Sequence, residues 1–302
     1  MRAVWSFWSK PFITYYSRVW SKPLHHLLAW GLSFHAAARH YPETMLVTDR
    51  PGKKLLIDQL GIPFTNVSTD LEALKDVDPG FWAVGKLMAC TLQDRPFVHL
   101  DNDVFLWKPL PRGVAESPVI AQCPYSFNRN DPYFHPQEIE SAFAREGLEL
   151  PPEWVWALTN RNEFAAANGG VLGGSAAGFL RHYAQSALDL VLKPEHAPAW
   201  SHIPEKNCPY VVLEEFFLLA CVQYHNAQQT SPFRGVTISY LFPSWGHAYD
   251  ANQAARAGYT HLIGAAKSHP GVGARMEERV RLQDPVFYRR CEQAVTKNTF
   301  PF

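Results

Sequence analysis

The sequence predicts an α/β protein with a mainly parallel sheet and helices on both of its faces. Along the first hundred residues, short runs of strand-forming residues alternate with longer segments of helical periodicity, as in βαβ units. The chain of 302 residues is 47% hydrophobic, which is enough to bury one large core. Because it contains no internal repeat, low-complexity tract or long linker, we expect one structural unit.

The elements follow in order from the N-terminus. Strands are expected at residues 2–8, 44–49, 63–69 and 95–101. Helices are expected at 23–41, 51–61, where Gly61 closes the helix, and 80–93. Beyond Asn128 a turn-rich segment with one short helix is expected, and then helices at 177–192, 210–226 and 285–297. His25 and His26 are expected as a pair on the surface of the first helix.

Charge and cysteine content exclude several classes of function. Lysine plus arginine and aspartate plus glutamate number 28 each, which argues against binding to nucleic acid or to an anionic membrane. Five cysteines without CxxC spacing fit reduced thiols better than a disulfide or zinc framework. No run of about 18 apolar residues occurs, so we expect no transmembrane segment and a cytoplasmic protein.

The segment HLDNDVFLWKPL (residues 99–110) places Asp101 and Asp103 directly after a predicted buried strand. Ionised carboxylates repel each other and are costly to withdraw from water unless a positive charge lies between them. Side chains two positions apart in an extended segment point to the same side, so both acids can reach one divalent cation. A strand-end turn with side-chain-to-backbone hydrogen bonds is the alternative.

The segment NGGVLGGS (residues 168–175) carries four glycines around a Val-Leu pair. Glycine lets the backbone approach another strand or a ligand closely, and a tight turn into a helix is equally compatible with the pattern. Because no Lys-Ser/Thr pair follows, this is not a Walker-type phosphate loop.

Two further segments carry side chains suited to chemistry. In HLIGAAKSHP (residues 261–270), the His261 imidazole suits manganese beside carboxylates, and Lys267, on a loop that contains Gly264, could hold a diphosphate. In VVLEEFFLLA, Glu214 and Glu215 interrupt an apolar helix. Adjacent helical positions diverge by about 100 degrees, so we expect one glutamate to face a pocket while the other pairs or meets solvent.

In this order, FVHLDNDVFLWKPL, NGGVLGG, LEEFFL and HLIGAAKSHP resemble the motifs of metal-dependent nucleotide-sugar glycosyltransferases of the A-type fold, most nearly family 8, the glycogenin and galactosyltransferase-like enzymes. The resemblance spans most of residues 1–270 and implies a Rossmann-like sheet. It implies a single domain, 1–302, with a nucleotide-binding half at 1–110, an acceptor and lid half at 111–284 and a C-terminal helix at 285–302.

The resemblance also assigns roles to individual residues. It implies that Mn²⁺ or Mg²⁺ is bound by Asp101, Asp103 and His261. Glu214 or Glu215 would be catalytic, in contact with the acceptor or the reacting sugar. Contacts to the donor are implied at Trp5, Phe7, Trp8, Lys86, Asp101, Asn168, Gly169, Gly264 and Lys267.

The implied activity is transfer of a sugar from a nucleoside-diphosphate donor, with a UDP-sugar favoured. The acceptor stays open among a saccharide, a peptide, a natural product and a lipid-linked glycan, and a catalytic glutamate is compatible with inversion or retention. One alternative is a sugar-phosphate nucleotidyltransferase, although the N-terminal segment lacks the glycine-rich loop usual in those enzymes. Another is a non-catalytic carbohydrate-binding protein on the same fold.

Overall fold

The computed structural model describes residues 1–16, 19–128, 135–159, 163–203 and 212–297. The chain divides into two compact units. Unit one takes its residues from Met1–Pro79, His99–Leu110 and Tyr249–Phe302, and unit two from Gly80–Val98 and Pro111–Ala248. The predicted division after residue 110 coincides with one boundary between the units, and the single domain stays a prediction.

Strands and helices alternate along much of the chain. The strands are β1 Arg2–Phe7, β2 Thr44–Thr48, β3 Asn66–Ser68, β4 Phe97–Leu100, β5 Val104–Leu106, β6 Val119–Ala121, β7 Pro124–Asn128, β8 Glu163–Ala167, β9 Val171–Gly174, β10 Ile238–Tyr240 and β11 Tyr259–His261. The helices are α1 Ser9–Pro11, α2 Pro23–Ala38, α3 Arg50–Lys53, α4 Val84–Thr91, α5 Arg112–Ala115, α6 Pro136–Arg145, α7 Pro152–Thr159, α8 Ala177–Leu192, α9 Ala197–Ser201, α10 Phe217–Ala227, α11 Trp245–Tyr249, α12 Ala251–Ala257, α13 Pro270–Gln283 and α14 Pro285–Thr296.

Unit one is built on strands in the order β4-β1-β2-β3. β1 pairs in parallel with β2, and β2 with β3. Five of the six residues of β1 are buried, as expected of a strand covered on both faces. A separate antiparallel pair, β5 with β11, places His261 opposite Val104.

Unit two contains the strand order β10-β6-β9, with β9 next to the first residues of β4. β10 and β6 are parallel, whereas β6 and β9 are antiparallel. The antiparallel pair β7 and β8 forms a second small sheet. Parallel pairing therefore dominates the described strand order, and the predicted α/β class with a mainly parallel sheet is confirmed.

Two glycines of the predicted close-approach segment lie where a strand leaves no room for a side chain. A Cβ added to Gly173 would lie 2.1 Å from the carbonyl oxygen of Phe97, and one added to Gly174 would lie 2.1 Å from that of Pro118. Gly174 also has φ of +140°, a conformation that side chains disfavour. Of the alternatives offered by the sequence, close approach to another strand explains these two positions.

The helices differ from the predictions in detail. The segment 51–61 combines α3 with a π-helical turn, Lys54–Gln59, and Gly61 ends it at φ +71° as expected. The prediction of a surface pair at His25 and His26 is wrong, because their exposed fractions are 3% and 4%. Helix α2 is buried along most of its length, so His25 and His26 lie inside the unit.

No helix within the described ranges combines the length and the apolar character needed to cross a lipid bilayer.

Replacing Gly173 with alanine should lower the free energy of unfolding by about 2 kcal/mol or more, since the added methyl group meets backbone that cannot rotate away. Urea unfolding measures this change. The matched control is Gly178→Ala in α8, where an added Cβ meets nothing within 4 Å and should be neutral or stabilise by up to about 1 kcal/mol. Equal effects of the two substitutions would contradict the packing of β9.

Candidate functional site

The two aspartates of the DxD motif lie on a tight turn at the carboxyl end of β4. The backbone N–H of Val104 donates to the carbonyl oxygen of Asp101 at 3.0 Å, so the acids are not on the extended segment that was expected. Ser33 donates to the same carbonyl oxygen at 3.1 Å and itself accepts a hydrogen bond from the Trp5 indole at 2.8 Å. The turn is therefore fixed by the core of unit one.

The ladder between β5 and β11 brings His261 to this turn. The N–H of Leu262 donates to the carbonyl oxygen of Asp103 at 3.0 Å, which continues the pairing of the two strands past His261. The ligand atoms of Asp101, Asp103 and His261 all lie within 4.8 Å of one another. Residues that are remote in the sequence thus form the predicted group.

Lys267 completes this group, which we call the DxD cluster: Asp101, Asp103, His261 and Lys267. Its ammonium nitrogen lies 2.5 Å from Oδ2 of Asp103, while Nε2 of His261 lies 3.5 Å from Oδ1. The Asp103 side chain is 5% exposed and that of Asp101 is 28% exposed. Lys267 pairs with Asp103, whereas Asp101 lies 3.8 Å from Nδ1 of His99. Two carboxylates held this close favour a further cation between them.

His26 is a neighbour of the DxD cluster that sequence reasoning missed. Burial, and next the charge of Lys267, lower its pKa to about 3, whereas Asp103 acts in the opposite direction. The ring is therefore neutral. Its Nε2 accepts a hydrogen bond from the Trp30 indole at 3.2 Å, which leaves the proton on Nδ1, a buried atom without a hydrogen-bond partner among the described residues. No spacing in the sequence distinguishes His26 from an ordinary helix residue.

A second charged group lies in unit two, and we call it the Glu-pair cluster: Lys86, Asn168, Gly169, Glu214 and Glu215. The ammonium group of Lys86 lies 2.6 Å from Oε1 of Glu214 and donates to the carbonyl oxygen of Gly169 at 3.0 Å. A Cβ on Gly169 would lie 2.0 Å from Oε1 of Glu214. This glycine is therefore required by the buried ion pair itself.

Both glutamates are buried, and Glu214 pairs with Lys86, which is one of the two expected arrangements, whereas neither glutamate meets solvent. Which of the two faces a pocket stays a prediction. They lie in a π-helical turn, Val212–Phe216, in which successive side chains are not separated by the 100 degrees of an ideal α-helix. The exposed fractions of Glu214 and Glu215 are 2% and 8%. Oε1 of Glu215 accepts hydrogen bonds from Asn168 Nδ2 at 2.9 Å and from the Gly169 N–H at 2.7 Å.

Glu215 holds a proton more tightly than an ordinary glutamate. Burial, and next the charge of Glu214, raise its pKa from 4.5 to about 8, although hydrogen bonds from Tyr125 and Gly169 and the charge of Lys86 oppose the shift. Tyr125 donates a very short hydrogen bond to Oε2. With one lysine for two buried carboxylates, the cluster stays close to neutral by keeping this proton.

The remaining predicted donor contacts lie in unit one. Trp5 is fully buried, and Phe7 and Trp8 are 5% and 6% exposed, so all three belong to the core. Gly264 begins the 3₁₀ turn that carries Lys267, has φ of +52°, and has no atom within 4 Å of an added Cβ. The structure thus shows where these side chains lie, and their contact with a nucleotide donor stays a prediction.

The chain is thus an α/β protein with two charged clusters that contain buried acidic side chains. One of these clusters, the DxD cluster, also contains a histidine and is arranged as a potential metal site. The chain belongs to DUF6734, a family of unknown function, whose family model matches residues 1–294. No curated protein matches the sequence.

Two solved structures show a weak similarity to this chain. One is the galactosyltransferase LgtC in complex with donor and acceptor sugar analogs, and the other is an active-site mutant of LgtC. Each is 13% identical in sequence, with coverage of 67% of this chain and 70% of the other and a TM-score of 0.33.

Replacing Glu215 with glutamine should remove a pH dependence of stability. The folded carboxyl keeps a proton that the unfolded chain releases near pH 4.5, so the wild-type free energy of unfolding should fall as pH rises from about 4.5 to about 8, by up to about 1.4 kcal/mol per unit. Urea unfolding across that range measures the slope, which Glu215→Gln should flatten. The exposed Glu140→Gln is the matched control and should keep the wild-type slope. Identical slopes in all three proteins would show that Glu215 is ionised throughout.

Proposed function

We propose that this protein is a metal-dependent glycosyltransferase that moves a sugar from a nucleoside-diphosphate donor, with a UDP-sugar favoured, to an acceptor. The observation that supports this most is the DxD cluster. Two carboxylates, an imidazole and an ammonium group meet at the turn after the carboxyl end of β4, a strand of the mainly parallel sheet, and open α/β sheets bind their ligands at this edge. The acceptor class stays open among saccharides, peptides, natural products and lipid-linked glycans.

The ligand atoms of the DxD cluster suit a divalent ion. Carboxylate oxygens and an imidazole nitrogen suit Mn²⁺, and carboxylate oxygens suit Mg²⁺. Asp101, Asp103 and His261 would hold the ion, with ligand atoms already within 4.8 Å of one another. When bound, such an ion supplies Lewis-acid stabilisation of a departing diphosphate.

Lys267 and His26 add hydrogen-bond donors that suit phosphate oxygens. The Lys267 side chain is 23% exposed, and its ammonium group is held by Asp103 in a position that a diphosphate could share. His26 offers a neutral, buried N–H without a hydrogen-bond partner among the described residues. The charges of Asp103 and Lys267 both act on this imidazole. An anionic ligand would stabilise a buried donor of this kind, because an unmet donor costs about 1–3 kcal/mol.

The proposal assigns the sugar chemistry to the Glu-pair cluster. Asn168 and Gly169 would contact the donor sugar, and Glu214 or Glu215 the acceptor or the reacting sugar. Lys86 lies 2.6 Å from Glu214, whereas Glu215 carries its proton below about pH 8. Two carboxyls in such different surroundings can divide the roles of charge stabilisation and proton transfer.

Thermal unfolding of the EDTA-stripped protein with UDP, GDP, ADP or CDP, each with and without Mn²⁺, tests the proposal. One diphosphate should raise the unfolding midpoint only when Mn²⁺ is present, by the equivalent of about 2.7 kcal/mol at a hundred times its dissociation constant. Asp103→Asn should abolish this ligand-induced shift, since it removes a metal ligand and the partner of Lys267.

The control for this experiment is Asp58→Asn, which removes an exposed aspartate that also pairs with a lysine, Lys53, at 3.2 Å. It should keep the full ligand-induced shift. Both variants lose one negative charge, so a difference between them reports the cluster rather than net charge. The proposal would be overturned if no diphosphate stabilised the wild type with Mn²⁺, or if Asp103→Asn responded as the wild type does.

A further inference from the structure

Three helices of unit two bring one glutamate and two histidines together, a group that we call the histidine cluster. Glu153 lies in the first turn of α7, His182 in the middle of α8 and His225 near the end of α10. Nε2 of His182 lies 3.0 Å from Oε1 of Glu153 and 3.0 Å from Nε2 of His225, and the third edge, from His225 to Glu153, is 3.3 Å.

These three distances, of 3.0 to 3.3 Å, are close to those between ligands around a small metal ion. Bonds of about 2.0–2.1 Å in a tetrahedral zinc site place neighbouring ligand atoms about 3.3 Å apart. Hydrogen bonding alone accounts for the triangle less well, because each Nε2 carries either one N–H or one lone pair. At least one of the three close contacts is then left without a hydrogen bond, whereas a cation at the centre accepts all three lone pairs.

The surroundings of the cluster hold its ligands in place. Nδ1 of His225 lies 2.8 Å from the Ser231 hydroxyl, whose oxygen also accepts the N–H of Phe233 at 3.1 Å. Such a hydrogen bond on the far nitrogen orients most metal-binding imidazoles. The Phe233 ring packs against both imidazoles, with centroids 5.1 Å from His182 and 5.2 Å from His225.

Burial and charge are also suited to a cation. The side chains of Glu153 and His225 are 5% and 8% exposed, and that of His182 is 33% exposed. Burial acts to raise the pKa of Glu153, and the hydrogen bonds and the two imidazoles around it together lower the pKa. One edge of the cluster therefore faces solvent at His182, while its acid is buried.

We propose that Glu153, His182 and His225 bind a zinc ion, with a water molecule in the fourth position on the side of His182. Two imidazoles and one carboxylate are a ligand set that zinc uses, whereas the oxygen-richer DxD cluster suits manganese or magnesium. Because the ligands come from α7, α8 and α10, the ion ties three helices of unit two together. Its binding energy therefore adds to the stability of the folded chain.

The test measures zinc content and stability in an Asp103→Asn background, which removes the contribution of the DxD cluster and makes the result independent of the proposed transferase activity. The EDTA-stripped protein is loaded with Zn²⁺, dialysed and analysed by mass spectrometry of the metal. We expect one zinc per chain and a higher unfolding midpoint. Glu153→Gln and His225→Gln should both lose the ion, and Ser231→Ala should weaken zinc binding about 10- to 100-fold.

The matched control is His202→Gln, which breaks another histidine–glutamate pair of unit two, with 2.6 Å between His202 and Glu146. It should retain one zinc. If the ligand variants fail to fold, Co²⁺ loading of the parent protein replaces them, and the visible absorption of a tetrahedral site supports the proposal. The proposal is overturned by zinc content no higher than in a metal-free blank, by zinc retained unchanged in both ligand variants, or by an octahedral Co²⁺ spectrum.

Discussion

Buried carboxylates must find positive charge or keep a proton, and the functional architecture of this chain depends on how that requirement is met. In the DxD cluster, Asp103 is met by Lys267 and His261. In the Glu-pair cluster, Lys86 balances Glu214 while Glu215 keeps its proton. Each solution uses a different partner, and in the first the ligand atoms of two carboxylates and an imidazole lie within 4.8 Å of one another. That geometry is the reason for placing a divalent cation there.

The local backbone conformation positions these charged side chains. The turn after β4 holds Asp101 and Asp103 on a core hydrogen-bond chain through Ser33 and Trp5. The π-helical turn at Val212–Phe216 lets both glutamates point inward, and Gly169 supplies the space that the Lys86–Glu214 pair occupies. The charged groups thus lie where the backbone departs from regular geometry or where a glycine leaves space for a neighbouring side chain. Such departures from ideal local geometry are common at functional sites.

The sequence predicts the alternation of strands and helices and the DxD cluster, because buried strands, a DxD pair and a His-x-x-Gly-x-x-Lys segment leave local patterns. It leaves the turn at Asp101 as one of two alternatives, since a strand end and an extended pair have the same residue spacing. The electrostatic influence of Lys267 and Asp103 on His26 depends on how α2 packs, and its surface assignment failed because α2 is buried along most of its length. The histidine cluster joins residues 29 and 43 positions apart, so only the tertiary structure reveals it.

We place a divalent cation and a nucleoside diphosphate together at the DxD cluster. Calorimetric titration tests this, with the EDTA-stripped protein titrated with UDP at fixed Mn²⁺ and without it, and with Mn²⁺ at saturating UDP and without it. Each ligand should raise the affinity for the other by the same factor, as linkage requires, and Asp103→Asn should remove this coupling. Equal UDP affinity with and without Mn²⁺, or coupling that survives Asp103→Asn, would show that the two ligands do not meet at this cluster.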